Sequence, residues 1–358
     1  PGPTPCPPEV LQAMTKQMID HRGEEFARII REVTEKLKVV YQTKNDVFIL
    51  TGSGSGGLEA AVVNMLSPGD KVLAVSIGFF GERFASIAKA FGAEVIPLNF
   101  EWGKAADPDA IKRALQSDPQ IKAVLVTHNE TSTGVTNDLA SISKVVKDFG
   151  KLLLVDSISG ISSIDVQVDK WQCDVVLSAS QKGWMVPPGL VFASVSPEAW
   201  QAHAKAKMPR AYWDFTAAKT FLEKGQTPWT PAVSTFFALN VALDMMLKEG
   251  IANIFARHAR VAKATRDGIK SLGLSLFADE ASASNTVTAV NNPPGVDGKR
   301  MLKILREEHK VILNGGQQKL EGKIFRVGHM GWVNERDIQE VVAAVKVALP
   351  QVRLVGVK

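Results

Sequence analysis

From about residue 45 onward the chain alternates two hydrophobic periods. Short runs rich in β-branched and aliphatic residues read as strands: Phe48-Ile49-Leu50, KVLAVS at 71–76, EVIPL at 94–98, KAVLVTH at 122–128, KLLLVDS at 151–157, VVLSAS at 175–180 and LVFASV at 190–195. Between them apolar residues recur at helical spacing, as Leu58, Ala61, Val62, Met65 and Leu66 do after the first run, and Phe84, Ile87, Ala88 and Phe91 after the second. Further helices are expected near 107–117 and 138–149. Such alternation of six or seven strands predicts an α/β fold with a mostly parallel sheet, seven-stranded if every run joins it, flanked by helices on both faces, because parallel neighbours need helical crossovers.

After residue 195 the rhythm lengthens. Helices are expected near 232–249 and 251–271, followed by strand candidates around 286–290 and 324–327 and a closing helix from Arg336 to Leu349. This pattern predicts a large domain over 21–249 and a smaller C-terminal α+β domain over 250–358. The opening PGPTPCPP is too rich in proline for a helix before about Glu9. Residues 1–20 are therefore expected to drape over the domain boundary. No internal repeat interrupts the pattern.

Composition narrows the classes. The 358 residues are 45% apolar and 22% charged, which excludes wholesale disorder, a collagen-like repeat and a coiled-coil rod. The net charge of +5 comes from 42 basic and 37 acidic residues with no basic run, so nucleic acid is not an expected partner. Cys6 and Cys173 form no C-x-x-C and supply neither a disulfide framework nor a four-thiolate site. No apolar stretch approaches the roughly 20 residues of a membrane span. A cytoplasmic enzyme or binding protein is the expectation. The closing VGVK is no peroxisomal tripeptide, and the missing initiator Met leaves a trimmed leader open.

Three motifs carry candidate chemistry. TGSGSGG at 51–57 stands between a strand and an amphipathic helix, where free amides and the helix dipole favour an anion. Gly52, Gly54 and Gly57 formally satisfy G-x-G-x-x-G, so a dinucleotide-binding oxidoreductase stays open; against it, the second strand ends in Ser76-Ile77-Gly78 with no acid for a ribose. Leu58-Glu59 stands where a P-loop needs Lys-Ser/Thr. Asp156 closes a buried strand, at the end that faces the ligand crevice in open α/β sheets, or else caps a helix. Lys182 follows another strand, 26 residues beyond Asp156. A phosphate cradle, a carboxylate for a pyridine nitrogen and a lysine for a Schiff base are the parts that pyridoxal phosphate chemistry requires.

The chain also resembles the class V, fold-type I aminotransferases, in particular the alanine/serine:glyoxylate and serine:pyruvate branch. GPTPCPPEV, HRGEEF, TGSGSGGLEAA, THNETSTG, LLLVDS, SASQKG, TPWTPAVS and FRVGHMG occur in family order along nearly the whole chain. The resemblance implies pyridoxal 5'-phosphate as cofactor, Lys182 as the Schiff-base lysine with Gln181 beside it, and Gly54, Ser55 and Gly56 in the phosphate loop. It implies that Phe80 in IGFFGER stacks on the pyridine ring, that Thr131 bonds near the phenolic oxygen, and that Asp156 pairs with the ring nitrogen. Thr227 and Thr230 in TPWTPAV, with Trp229 between them, would reach the phosphate from the other subunit of a homodimer with composite sites. Arg326 would bind the substrate α-carboxylate, and Gly2 would close over the substrate by main-chain contact.

The implied reaction moves an amino group from alanine or serine to glyoxylate or pyruvate, with Lys182 as base and acid at the substrate Cα. Another class V reaction, such as 2-aminoethylphosphonate transamination, would want a further cation for the phosphonate. A cysteine desulfurase would need a mobile cysteine beyond Cys173. Family relatives labelled as a hydrogenase subunit would need a metal-cluster ligand set that two separated cysteines do not supply. His21, Arg22 and His128 are read as structural, and Cys173 as a small core residue before a strand.

Overall fold

The computed structural model describes residues 1–352, and the closing VGVK lies outside them. The seven apolar runs form β1 (Asp46–Gly52), β2 (Lys71–Ser76), β3 (Glu94–Asn99), β4 (Ala123–Thr127) and, after a short hairpin of β5 (Asn129–Glu130) and β6 (Val135–Thr136), β7 (Leu152–Asp156), β8 (Val175–Ala179) and β9 (Gly189–Val195). They make one sheet in the order β1-β9-β8-β7-β4-β2-β3. Pairing is parallel from β8 through β7, β4 and β2 to β3, whereas β9 is antiparallel to both β8 and β1. The exception has a simple cause. Residues 180–188 between β8 and β9 are too few for a helical crossover, so the chain turns straight back.

Alternate residues of each strand enter different cores. Val124 and Val126 of β4 face a cluster with Val33, Leu37, Ile142, Phe236 and Leu239, while Ala123 and Leu125 face another with Leu58, Val62, Phe84 and Phe215. Every residue of β4 and β8 is buried, as expected for strands covered on both faces. At the far edge β3 is half-exposed and carries Pro97, a residue that an edge strand tolerates. The amphipathic stretch Glu24–Tyr41, unassigned above, is an 18-residue helix on the first face. Helices Pro197–His203, Phe215–Glu223 and Gly298–Glu307 were also not anticipated.

A second, antiparallel sheet runs β10 (Val287–Asn291), β12 (Ile324–Gly328), β11 (Asn314–Gly315) in space. It packs with helices Ile251–Ser271, Gly298–Glu307 and Glu335–Gln351 around its own core, which includes Val261, Met301, Phe325 and Val345. The last helix opens with a capping box between Asn334 and Asp337. Because β4, β7 and β8 run the same way, the loops after Thr127, Asp156 and Ala179 gather at one end of the large sheet. The first turn of helix Gly54–Met65, after β1, joins them there. No helix among the described residues is long and apolar enough to cross a membrane.

Candidate active site

At that end of the sheet lies a cavity of about 210 Å³ lined by Gly54, Ser55, Phe80, Thr131, Asp156, Gln181 and Lys182 together with Arg83, Ser159 and others. Asp156 ends β7 and is 3% exposed. Among the described residues only the Ile158 amide donates to its carboxylate, at 3.0 Å. Burial, with the Glu130 carboxylate nearby adding to it, raises the Asp156 pKa to about 7. Lys182 follows β8 and is 9% exposed. Burial and the Arg326 guanidinium lower its pKa to about 8, and Asp156 opposes that shift.

The N-terminal segment closes the lysine side. Lys182 Nζ donates to the Pro1 carbonyl at 2.5 Å, Thr4 Oγ1 donates to the Lys182 carbonyl at 2.9 Å, and the Thr4 amide donates to the Gln181 carbonyl at 3.1 Å. Gly2 has φ of +110°, and a Cβ there would lie 2.5 Å from Lys182 Nζ. Only glycine fits both the backbone and the space.

On the opposite side, helix Gly54–Met65 begins at Gly54 with no side-chain cap, so its first amides are free toward the cavity. Arg83 Nη1 donates to Ser55 Oγ at 3.2 Å, and its guanidinium sits 4.6 Å from the Phe79 ring centroid and 5.1 Å from that of Phe80. Gln181 Oε1 is buried without a hydrogen-bond partner. An orphaned acceptor, an underpaired carboxylate and an uncapped helix end, all around one cavity, are costly unless a ligand completes them.

Thr131 Oγ1 donates to Ser159 Oγ at 2.8 Å. Arg326 on β12 is 6% exposed and donates through Nε to the Gly315 carbonyl and through Nη1 to the Thr131 carbonyl and Gln317 Oε1. Its Nη2 makes no hydrogen bond among the described residues. Burial lowers its pKa to about 10, which still leaves it a cation near neutral pH. Arg326 thereby ties the small sheet to the loop that carries Thr131.

The family model for class V aminotransferases matches residues 1–333. The chain belongs to the class V aminotransferases. It is 36% identical over 360 residues to the serine–glyoxylate aminotransferase of Methylorubrum extorquens, covering 98% of this chain and 90% of that one. A solved alanine–glyoxylate aminotransferase from Nostoc sp. superposes with a TM-score of 0.94 at 30% identity, covering 97% of this chain and 93% of that one. A relative from Anabaena cylindrica, 46% identical over 352 residues, covering 98% of this chain and 92% of that one, is named soluble hydrogenase 42 kDa subunit. Among the described residues no group of three or more His, Cys, Asp or Glu is placed to hold a metal ion. Family membership sets aside the dinucleotide-binding oxidoreductase.

Not every residue singled out in the sequence reaches the aminotransferase cavity. Thr227 is buried and its hydroxyl donates to the Trp229 carbonyl; neither it nor exposed Thr230 lines the cavity of its own chain. Trp229 stacks on Tyr212 at 5.7 Å. Arg22 of HRGEEF donates to the Thr227 carbonyl at 2.8 Å and to Gln226, so one motif pins the other across the chain. His128 is buried just beyond β4 with Nδ1 3.0 Å from Ser157 Oγ. Cys173 is a core residue whose thiol burial pushes up to about 12.

Two residues inside recognised motifs gain importance only from the structure. Glu130 of THNETSTG is fully buried. Its Oε2 accepts from the Phe80 and Gly81 amides at 3.0 and 3.1 Å, and its Oε1 accepts from the amide and hydroxyl of Ser132 at 3.0 and 2.6 Å. It caps the helix that carries Phe80 and fixes that ring at the cavity wall. Arg83 of IGFFGER brings a cation to the uncapped helix end. Their only sequence signal is that they stand in motifs with Thr131 and Phe80.

Proposed function

We propose that this aminotransferase uses pyridoxal 5'-phosphate bound in the 210 Å³ cavity to move an amino group from alanine or serine to glyoxylate or pyruvate. The observation that carries the reading is the convergence of Lys182, Asp156, Gln181 and the uncapped helix end at Gly54 on that one cavity. The residues fit the group. The free amides of Gly54, Ser55 and Gly56 suit a phosphate, Phe80 offers a flat wall to a ring, and Gln181 Oε1 lacks a partner within the protein.

When bound, the cofactor supplies an aldehyde that accepts an amino group and a ring that draws electrons from the carbon being deprotonated. Lys182 Nζ would hold that aldehyde and, when released, would move a proton from the substrate Cα to the cofactor C4′. Its lowered pKa keeps a useful fraction neutral for that work. The Asp156 carboxylate holds a proton on the ring nitrogen, and a cation there offsets the burial that otherwise raises Asp156. Arg326 binds the substrate α-carboxylate through its remaining guanidinium edge. Thr131, at the cavity wall, would contact the edge of the ring.

Pro1 and Gly2 pack directly on Lys182 and crowd its side of the cavity, which favours a small donor such as alanine or serine over bulky amino acids. The two relatives named above as aminotransferases have glyoxylate in common and differ in donor, which supports glyoxylate as an acceptor. The reading includes three bodies, residues 1–20 over the site, 21–249 as the large unit and 250–358 as the small one. It also includes a cytoplasmic homodimer in which Thr227 and Thr230 serve the phosphate of the partner subunit. The test is a spectral half-reaction screen on protein reconstituted with pyridoxal 5'-phosphate. A long-wavelength band that alanine or serine discharges, and that borohydride traps on Lys182, is expected; a colourless protein with label elsewhere refutes the reading.

A further inference from the structure

Behind Lys182 lies an arrangement that the proposed chemistry does not use directly. Lys182 opens a tight turn in which the Met185 amide donates to the Lys182 carbonyl at 3.1 Å, with Met185 itself at φ +62°. Gly331, in the loop after β12, packs on this turn. A Cβ at Gly331 would lie 3.2 Å from Met185 Cγ, 3.4 Å from the Lys182 carbonyl oxygen and 3.5 Å from Gly183 Cα, and its φ of +76° favours glycine independently.

Both polar groups of Gly331 are taken by adjacent residues of helix Ile251–Ser271. The Gly331 amide donates to His258 Nε2 at 2.9 Å, and its carbonyl accepts from Arg257 Nη1 at 2.9 Å. His258 is 1% exposed, and its Nδ1 bonds the Ile254 carbonyl at 2.8 Å, which fixes Nδ1 as the protonated nitrogen and leaves Nε2 as acceptor. Arg257 is oriented in turn by Glu249, Nε to Oε1 at 2.7 Å and Nη2 to Oε2 at 3.0 Å. Burial holds His258 neutral, with its pKa lowered to about 4, so the acceptor persists throughout the neutral range.

Resting on the reading of Lys182 given above, we propose that Arg257 and His258 are positioning residues for Lys182, acting through Gly331 to hold the lysine turn closed and dry. Gly331 lies five residues beyond Arg326 in the same chain segment. Neither Arg257 nor His258 lines the cavity. Their effect must pass through the backbone of Gly331 and the Lys182–Met185 turn.

Competitive acetylation of the cofactor-free full-length protein, with Lys182 followed by mass spectrometry across pH, reads the titration midpoint of that amine. Asp156, Arg326 and the Pro1 amino group face Lys182 and are left unsubstituted in every variant. His258→Leu, which orphans the Gly331 amide, is expected to raise the midpoint by about one pH unit as water reaches the loosened turn. His258→Gln restores an acceptor and is expected to hold the midpoint near that of the natural protein. If His258→Leu does not fold, Gly331→Ala reads the same displacement through its contact with Met185. Lowered thermal stability with an unmoved midpoint, or identical behaviour of the Leu and Gln variants, overturns the proposal. The labelling needs no cofactor, so its failure is distinct from failure of the cofactor reading, which a colourless reconstituted protein reports.

Discussion

Gly78 offers a direct way to disturb the cavity wall without touching it. Its backbone is extended, at φ 174°, so alanine there meets no conformational penalty. The obstacle is space. A Cβ would lie 2.5 Å from Glu130 Cδ and 2.6 Å from Ser132 Oγ, and it would also overlap Glu130 Cγ. These side chains accept the five hydrogen bonds that fix the Phe79, Phe80, Gly81 and Ser132 amides and the Ser132 hydroxyl. Relieving the overlap requires a shift on the order of 1 Å, which breaks bonds near 3.0 Å. If two buried amides lose their acceptor at about 1–3 kcal/mol each, Gly78→Ala destabilises the protein by roughly 2–6 kcal/mol and frees Phe80 from the wall. Denaturant unfolding measures the first effect and titration with pyridoxal 5'-phosphate the second, where an affinity loss of about tenfold or more is expected. The double variant with Glu130→Ala decides the cause. If the strain runs through Glu130, the two substitutions couple by about 1 kcal/mol or more and the pair costs less than the sum. Strict additivity, or a single variant within about 0.5 kcal/mol of the natural protein, would falsify the account.

Further outcomes follow from the same geometry. Lys182→Ala abolishes the borohydride label and the amino-group exchange on the proposed chemistry, and undiminished exchange in that variant contradicts it. Asp156→Asn leaves the cofactor bound but slows Cα deprotonation by about 10²–10⁴, read by single-turnover mixing with alanine; near-normal turnover removes Asp156 from the mechanism. Capture of the aldehyde at Lys182 in the cofactor-free protein rises about tenfold per pH unit below the lysine pKa of about 8 and levels off above it, since only the neutral amine attacks. A plateau that begins near pH 10 instead shows that burial does not depress this amine. Because Asp156 raises the Lys182 pKa, Asp156→Asn moves the plateau to lower pH. Arg326→Lys loses planar two-point recognition and raises KM for the amino acid by about ten- to a hundredfold, and an unchanged KM assigns the α-carboxylate to another group.

The strands were legible because each one carries its own hydrophobic signal. KVLAVS matches β2 residue for residue, and the helix expected at 251–271 has those bounds. Gly54, Phe80, Thr131, Asp156, Gln181 and Lys182, read from five separate motifs, line one cavity because parallel strands deliver their following loops to the same end of the sheet. The reversal of β9 was less apparent, since its residues are as apolar as those of its neighbours; only the length of the preceding loop carries direction. Gly298–Glu307 is strongly amphipathic, but it follows the Pro- and Gly-containing stretch at 293–295, which masks its start in the sequence. Glu130 is silent in the sequence for another reason. Its role is fixed by amides 50 and 49 positions earlier, and nothing in local spacing reports that an acid turns back to cap a distant helix.

The charges of the site explain why those unseen ties matter. Asp156 and Glu130 are buried acids with raised pKa values, and Lys182 and Arg326 are buried cations with lowered ones. Each is pushed toward neutrality because burial costs the charged form more than its neighbours return. On the proposed function, a ligand with a cationic ring nitrogen at Asp156 and an anionic phosphate at the Gly54 helix end offers opposite charge to both the acid and the amide-lined end. Their placement then has to be held by groups that never meet the ligand. Glu130 does this for Phe80 through the peptide amides it caps, and Arg257 with His258 would do it for Lys182 through Gly331. A site assembled at strand ends inherits its residues from sequence motifs, but its electrostatics depend on these backbone-mediated links between distant segments.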